Sequence, residues 1–155
     1  MVKRRVRLRL VETGGSYFSS PTTLEFIHSG STILDCVIAG GWPLGRIVNI
    51  VGDRSTGKTL LAIEALTNFV KKFPKSKAYY AESEAAFNQE YAQALGLPLN
   101  RVEFPEGIDT VEALYDDVRR VIADSKGAPT LYVLDSLDAL SDESEKKQDI
   151  RAGSY

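Results

Sequence analysis

The stretch with the clearest capacity for chemistry is Gly52–Thr59, whose eight residues fit the pattern G-x-x-x-x-G-K-[ST]. Glycines in such a stretch let the backbone wrap closely around phosphate oxygens, and the N–H groups of a following helix supply partial positive charge. In this pattern the lysine, here Lys58, reaches the outer phosphates of a nucleotide, and the hydroxyl of Thr59 ligates Mg²⁺. The spacing therefore predicts a phosphate-binding loop.

The residues on either side of this motif support its interpretation as a phosphate-binding loop. Arg46–Val51 is apolar and β-branched, which predicts a buried strand, and Leu60–Leu66 consists of good helix formers. A strand, a glycine-rich turn and a helix together favour a nucleotide site over a turn that carries a solvent-exposed lysine. The predicted nucleotide contacts are Gly52, Asp53, Arg54, Ser55, Thr56, Gly57, Lys58 and Thr59.

Length and composition place the chain among soluble globular proteins. Its 155 residues suffice for one domain with a core, and 43% hydrophobic with 26% charged residues is ordinary for that class. No apolar run approaches the ~20 residues of a membrane span, and no secretory signal is recognisable, so we expect no membrane association. The single cysteine, Cys36, excludes an internal disulfide and is predicted to be a small core residue of a cytoplasmic protein.

The charge is unevenly distributed along the chain. Five of the first nine residues are basic, and no acid precedes Glu12. A basic arm on an acidic body predicts contact with nucleic acid or with an acidic neighbouring subunit. The alternation within Val6–Leu10 fits an edge strand with outward arginines equally well.

The remaining elements alternate between apolar runs and amphipathic segments. Helices are predicted at 31–39, 57–72, 88–95 and about 109–125, and strands at 46–51, 78–81, 102–104 and 130–134. This alternation predicts an α/β fold with a mostly parallel sheet that helices cover on both faces. Tyr79 and Tyr80 are predicted to be strand core. The last helix carries apolar residues at helical spacing, namely Val111, Leu114, Val118, Val121 and Ile122.

Two groups of acids follow predicted strands. Asp135 ends the strand at 130–134, where a carboxylate at the sheet edge helps to hold Mg²⁺, unless it is only a cap or loop acid. Glu82 and Glu84 follow the strand at 78–81, where a carboxylate can orient or deprotonate an attacking water. Composition alone favours plain surface acids for both glutamates.

Several segments, taken in order, carry a family resemblance. They are His28–Asp35, Gly40–Val48, Glu82–Ala85, Tyr91–Gly96 and Leu134–Leu140. Together with the phosphate loop they resemble the RecA-type recombinases, which are ATPases that polymerise on single-stranded DNA and exchange strands. The resemblance covers about residues 27 to 140.

This resemblance implies roles for particular residues. Glu84 takes the place of the water-activating glutamate and acts catalytically with Lys58, while Thr59 and Asp135 hold Mg²⁺ beside ATP. Tyr91 takes the place of the adenine-stacking residue, and Asn88 is a further candidate for an adenine contact. The implied partners are single-stranded DNA and other copies of the chain in an oligomer or filament.

The chain also departs from the family pattern. Ala85 stands where the family has histidine, and Glu82 stands where aspartate is common, which indicates a divergent branch such as a phage type. We expect a basic arm and loop at 1–26, a partial RecA-like core at 27–140 and a polar tail at 141–155 that leads to the first DNA-binding loop. The family's last strands, its glutamine that senses the γ-phosphate and its second DNA-binding loop have no counterpart. We therefore expect marginal stability, or association through an exposed sheet edge.

Three functional interpretations remain open. The first is the ATP- and Mg²⁺-binding core of a RecA-like recombinase in DNA recombination and repair. The second is a nucleotide-binding module without turnover, so hydrolysis itself is undecided. The third is a related P-loop motor, such as a replicative helicase or a clock-type ATPase, against which the segments around Glu84 and Tyr91 weigh. A small-molecule kinase is least favoured because no lid arginine cluster is recognisable.

Overall fold

The computed structural model describes residues 24–83 and 87–142. The basic arm, most of the polar tail and Glu84 lie outside the described residues. The described elements are, in order, β1 (Phe26–Ile27), α1 (Thr32–Val37), β2 (Trp42–Pro43), α2 (Lys58–Lys72), β3 (Lys77–Glu82), α3 (Gln89–Ala94), β4 (Val102–Glu103), α4 (Val111–Ser125) and β5 (Thr130–Asp135). Among the described residues, no helix combines the length and apolar character needed to cross a membrane.

A parallel three-stranded sheet forms the centre of the fold. Strand β3 lies between β4 and β5 and pairs in parallel with both. The β3–β5 register runs from Lys77 opposite Thr130 to Glu82 opposite Asp135, so the carboxyl ends of both strands meet at one edge. Strands β1 and β2 form a separate antiparallel pair. The predicted α/β class with a parallel sheet is confirmed.

Helix α2 supplies much of the hydrophobic core. Its buried residues recur every three or four positions, which is the spacing of one helix face, and they pack against the sheet with Ala78 and Tyr80 of β3. The helix residues concerned are Ile63, Leu66, Phe69 and Val70. Both Tyr79 and Tyr80 are 1% exposed, which confirms their prediction as strand core.

Polar caps set where three of the helices begin. The side chains of Ser31, Asn88 and Thr110 each accept a backbone N–H from the first turn of α1, α3 and α4. Such caps satisfy donors that a helix leaves unpaired at its start. The predicted boundaries of these helices agree with the structure to within a few residues because the caps are local signals.

The predicted buried strand at Arg46–Val51 is wrong. No described strand pairing includes this segment, and Ile47 and Val51 are 100% and 86% exposed. A strand needs neighbours for its backbone N–H and C=O groups, and no described element lies beside this one as a strand. An apolar, β-branched composition alone does not provide that neighbour.

The burial predicted for Cys36 is corrected, and the apolar residues of α4 are only partly covered. Cys36 is exposed rather than part of the core, because α1 buries none of its six residues. In α4 only Val121 is buried, whereas Val111 and Ile122 are exposed. Consecutive helical residues diverge by about 100°, so Ile122 faces away from the surface that buries Val121. The apolar stripe of α4 is therefore wider than the surface that covers it.

Leu66→Ala tests the importance of the α2 face. Leu66 is 0% exposed, so we expect the truncation to lower the free energy of unfolding by about 3 kcal/mol in urea denaturation. Ile33→Ala is the control, because Ile33 is 80% exposed and its truncation should change stability by less than about 0.5 kcal/mol. Equal effects of the two substitutions would contradict the assigned core.

Candidate phosphate-binding site

The loop at 52–59 is tightly wound where it enters α2. Gly57 caps the helix with a φ of +92°, a left-handed conformation that favours glycine, although a Cβ there would meet nothing within 4 Å. At Gly52 a Cβ would lie 2.9 Å from the Thr56 hydroxyl oxygen, so the lack of space there favours glycine. That hydroxyl donates to the Asp53 carbonyl at 2.8 Å. The pattern's two glycines thus serve different purposes, one for conformation and one for close packing.

The ammonium group of Lys58 lies against the loop backbone. Its Nζ donates to the carbonyl oxygens of Gly52 and Asp53, each at 2.8 Å. The first N–H groups of α2 have no acceptor within the helix and lie at the positive end of its dipole. Lysine charge and helix start together make this a positively polarised concavity that suits an anion.

A cleft of about 280 Å³ lies at the start of α2. Its lining consists of loop and first-turn residues together with one aromatic ring, namely Ser55, Thr56, Gly57, Lys58, Thr59, Leu60 and Tyr91. Of the predicted nucleotide contacts, Gly52 and Asp53 instead face Lys58 through their carbonyls, and Arg54 is solvent-exposed. The structure thus brings five of the eight predicted loop residues to one cleft.

The cleft is joined to the end of β5 by a hydrogen bond. The Thr59 hydroxyl donates to Oδ2 of Asp135 at 2.7 Å, across 76 residues of sequence. Sequence reasoning assigned both side chains to one magnesium site, and the structure places them in contact. The peptide bond that follows Asp135 is cis.

Sequence reasoning missed a third member of this group. The phenol of Tyr80 donates to the same Oδ2 of Asp135, also at 2.7 Å. A signal was present, because a buried tyrosine needs a partner for its hydroxyl. Finding that partner required the β3–β5 register, which puts Tyr80 and Asp135 on the same face of the sheet.

The surroundings of Tyr80 keep its hydroxyl protonated. Burial in the core, and then the neighbouring carboxylate of Asp135, raise the pKa of the Tyr80 phenol well above its ordinary range. The ring packs against Phe87 and Phe104, with centroid distances of 4.6 and 6.1 Å. Tyr80 is therefore a fixed hydrogen-bond donor.

The Thr59–Asp135 pair has the chemistry that Mg²⁺ requires. Magnesium prefers hard oxygen ligands, and nucleotide enzymes commonly hold it with one or two protein oxygens plus phosphate oxygens and water. A hydroxyl that lines the cleft, in contact with a carboxylate at the end of β5, fits that set. Among residues 24–83 and 87–142, no cluster of three or more His, Cys, Asp or Glu side chains forms a metal site.

The predicted catalytic residue Glu84 lies outside the described residues, but the structure shows how its neighbours are held. The Ser83 hydroxyl donates to the Ser136 carbonyl at 2.7 Å and accepts the Ser136 N–H at 2.9 Å. The Phe87 N–H donates to Oε1 of Glu82. These contacts fix the chain on both sides of residues 84–86 at the carboxyl edge of the sheet. They also give Glu82 a structural partner, whereas the role of Glu84 stays a prediction.

The two predicted adenine-contacting residues lie at the start of α3. Tyr91 lines the cleft and is 47% exposed, so its ring is accessible from the cleft. Asn88 does not line the cleft, and its Oδ1 accepts the Tyr91 N–H at 2.8 Å. Asn88 thus caps the helix that carries Tyr91, and adenine contacts of either residue stay predictions.

Comparisons with known proteins agree with this architecture. The fold and the loop define an α/β protein with a phosphate-loop motif at the carboxyl edge of a parallel sheet. A family model described as the RecA N-terminal domain matches residues 12–154. The chain belongs to the RecA family.

Individual relatives show how much of a RecA protein the chain represents. The RecA protein of Borrelia duttonii is 37% identical over 123 residues, which is 79% of this chain and 32% of that protein. The RecA protein of Acholeplasma laidlawii is 34% identical over 131 residues, which is 84% of this chain and 38% of that protein. The chain thus spans about a third of the length of these relatives, and the predicted family is confirmed.

Thr59→Val tests the link between the loop and β5. The substitution keeps the shape but removes a hydroxyl donor to a carboxylate, so we expect the free energy of unfolding to fall by about 1 kcal/mol. Urea denaturation in a buffer with EDTA measures this without bound metal. Thr56→Val is the control. The Thr56 hydroxyl donates to an exposed carbonyl, so the loss of this hydrogen bond should lower the free energy of unfolding by less than about 0.5 kcal/mol. Equal costs would contradict a structural link through Asp135.

Proposed function

We propose that this chain is the ATP- and Mg²⁺-binding core of a RecA-like recombinase that acts on single-stranded DNA in the cytoplasm, in DNA recombination and repair. The observation that carries the proposal is the 2.7 Å contact between Thr59 and Asp135. It joins the phosphate-loop threonine to a carboxylate at the end of a parallel strand. Membership of the RecA family supports the assignment to recombination rather than to another P-loop motor.

The proposal gives each side chain of the nucleotide site a separate role. Lys58 exchanges its loop carbonyls for the β- and γ-phosphates, while the first turn of α2 receives the remaining phosphate charge. Thr59 and Asp135 hold Mg²⁺, which neutralises charge on the phosphates when it is bound. Tyr91 stacks on the adenine ring, which its place in the cleft permits. Glu84 orients the attacking water and accepts its proton.

Lys58→Ala tests the nucleotide site. Removing the charged hydrogen bonds to phosphate should weaken the affinity for Mg·ADP by roughly a hundredfold in isothermal titration calorimetry. Lys71→Ala is the matched control, because Lys71 is an exposed lysine in the last turn of the same helix. Retention of full affinity by Lys58→Ala would refute the site assignment.

Contact with single-stranded DNA is proposed from charge and family alone. The candidate groups are the arm Lys3–Arg9 and the tail residues Lys146, Lys147 and Arg151, all outside the described residues. Phosphate contacts release counterions, so the affinity for an oligonucleotide should fall steeply as salt is raised. Several copies of the chain would line one DNA strand, as an oligomer or filament.

Glu84→Gln tests turnover. We expect ATP hydrolysis, measured with and without single-stranded DNA, to fall by a factor of about 10² to 10⁴, because the substituted side chain no longer accepts a proton. Mg·ADP affinity should be unchanged. Glu90→Gln is the control, since Glu90 is exposed in the first turn of α3 and should leave hydrolysis intact. Equal activity of Glu84→Gln and the native chain would contradict the catalytic role.

A second candidate is a nucleotide-binding module without turnover. The experiments above separate the two candidates. A native chain that binds Mg·ADP through Lys58 but shows no hydrolysis, with or without DNA, is such a module.

A further inference from the structure

Tyr80 combines complete burial with a direct contact to the proposed magnesium ligand. Its side chain belongs to the central strand β3 and is 1% exposed. Its hydroxyl lies 2.7 Å from Oδ2 of Asp135, the oxygen that also accepts the Thr59 hydroxyl. Two donors from two different elements therefore converge on one carboxylate oxygen.

The ring of Tyr80 has little freedom to move its hydroxyl elsewhere. It packs against Phe87, which itself packs against Phe104 at a centroid distance of 5.1 Å. The register fixes the backbone as well, because Tyr80 pairs with Val133, two residues before Asp135 on the same face. The hydroxyl position is thus set by packing and by strand pairing, both independent of any ligand.

Two donors on Oδ2 determine the orientation of the whole carboxylate. In the described part of the chain, the hydrogen bonds to the Asp135 side chain go to Oδ2. A carboxylate held through one oxygen presents the other in a fixed direction, and such outer contacts are known to tune metal affinity. A phenylalanine at position 80 would fill the same space without this restraint.

We propose that Tyr80 is a positioning residue, whose hydroxyl holds Oδ2 of Asp135 and so presents Oδ1 to the cation of the nucleotide site. The inference rests on the proposed function, because it assigns Asp135 to Mg²⁺. It adds a residue of the hydrophobic core to the residues on which metal binding depends.

The same sheet provides a matched control. The Tyr132 hydroxyl donates to Oδ2 of Asp117 at 2.9 Å, which is another bond from a strand tyrosine to an aspartate. Tyr132 stacks on Tyr79, on the face of the sheet opposite Tyr80, and Asp117 belongs to α4. Tyr132→Phe therefore removes the same kind of bond on the face of the sheet opposite Tyr80 and Asp135.

The test compares ADP binding by the native chain, Tyr80→Phe and Tyr132→Phe in isothermal titration calorimetry. Each protein is titrated with ADP in EDTA and then at a series of Mg²⁺ concentrations. The quantity compared is the Mg²⁺ concentration that gives half of the magnesium-dependent increase in ADP affinity. We expect this concentration to be roughly tenfold higher for Tyr80→Phe than for the native chain. Its ADP affinity in EDTA should match that of the native chain. Tyr132→Phe should match the native chain in both conditions.

The possible outcomes separate positioning from stability and from the proposed function. An unchanged or lower Mg²⁺ requirement in Tyr80→Phe overturns the inference alone. Equal loss of ADP affinity in EDTA and in Mg²⁺ also overturns it, because that result indicates a general structural defect. If the ADP affinity of the native chain does not respond to Mg²⁺, the proposed metal site fails and the inference fails with it. Urea denaturation of each variant confirms that folded proteins are compared.

Discussion

The parallel register between β3 and β5 is the constraint on which the rest of this structure depends. It aligns six residue pairs and ends with Glu82 opposite Asp135. Because side chains alternate along a strand, a slip of one residue would turn Asp135 to the other face, away from Thr59 and Tyr80. The loop, the carboxylate and the core tyrosine therefore form one site only in this register.

Local signals explain how much of the fold was predictable. The caps Ser31, Asn88 and Thr110 mark helix starts, and short apolar runs mark β3, β4 and β5. These features act over a few residues and are readable without the fold. The G-x-x-x-x-G-K-[ST] motif at 52–59 was recognisable for the same reason, since its spacing lies in one continuous stretch. Thr59 and Asp135 could be paired because the loop motif and the strand-end position each predict a Mg²⁺ ligand, although 76 residues of sequence separate them.

Burial and distant pairing explain what was not predictable. Arg46–Val51 has the composition of a buried strand but no strand partner among the described residues, and Cys36 lies on a short helix that buries nothing. A pattern states what a segment can bury, whereas the surface that covers it comes from elsewhere in the chain. The contact of Tyr80 with Asp135 was missed for the same reason, because it depends on register rather than on spacing.

The exposed segment Arg46–Val51 leads directly into Gly52 and has an energetic consequence. A β-branched stretch that has no strand partner among residues 24–83 and 87–142 is a place where a second polypeptide can add a strand. Under the proposed function, a strand added there would restrain the loop that receives the phosphates. Any coupling between two binding events is reciprocal, so a nucleotide that tightens such pairing is itself bound more tightly. The apparent nucleotide affinity would then depend on protein concentration, because one coupling free energy links assembly to ligand binding.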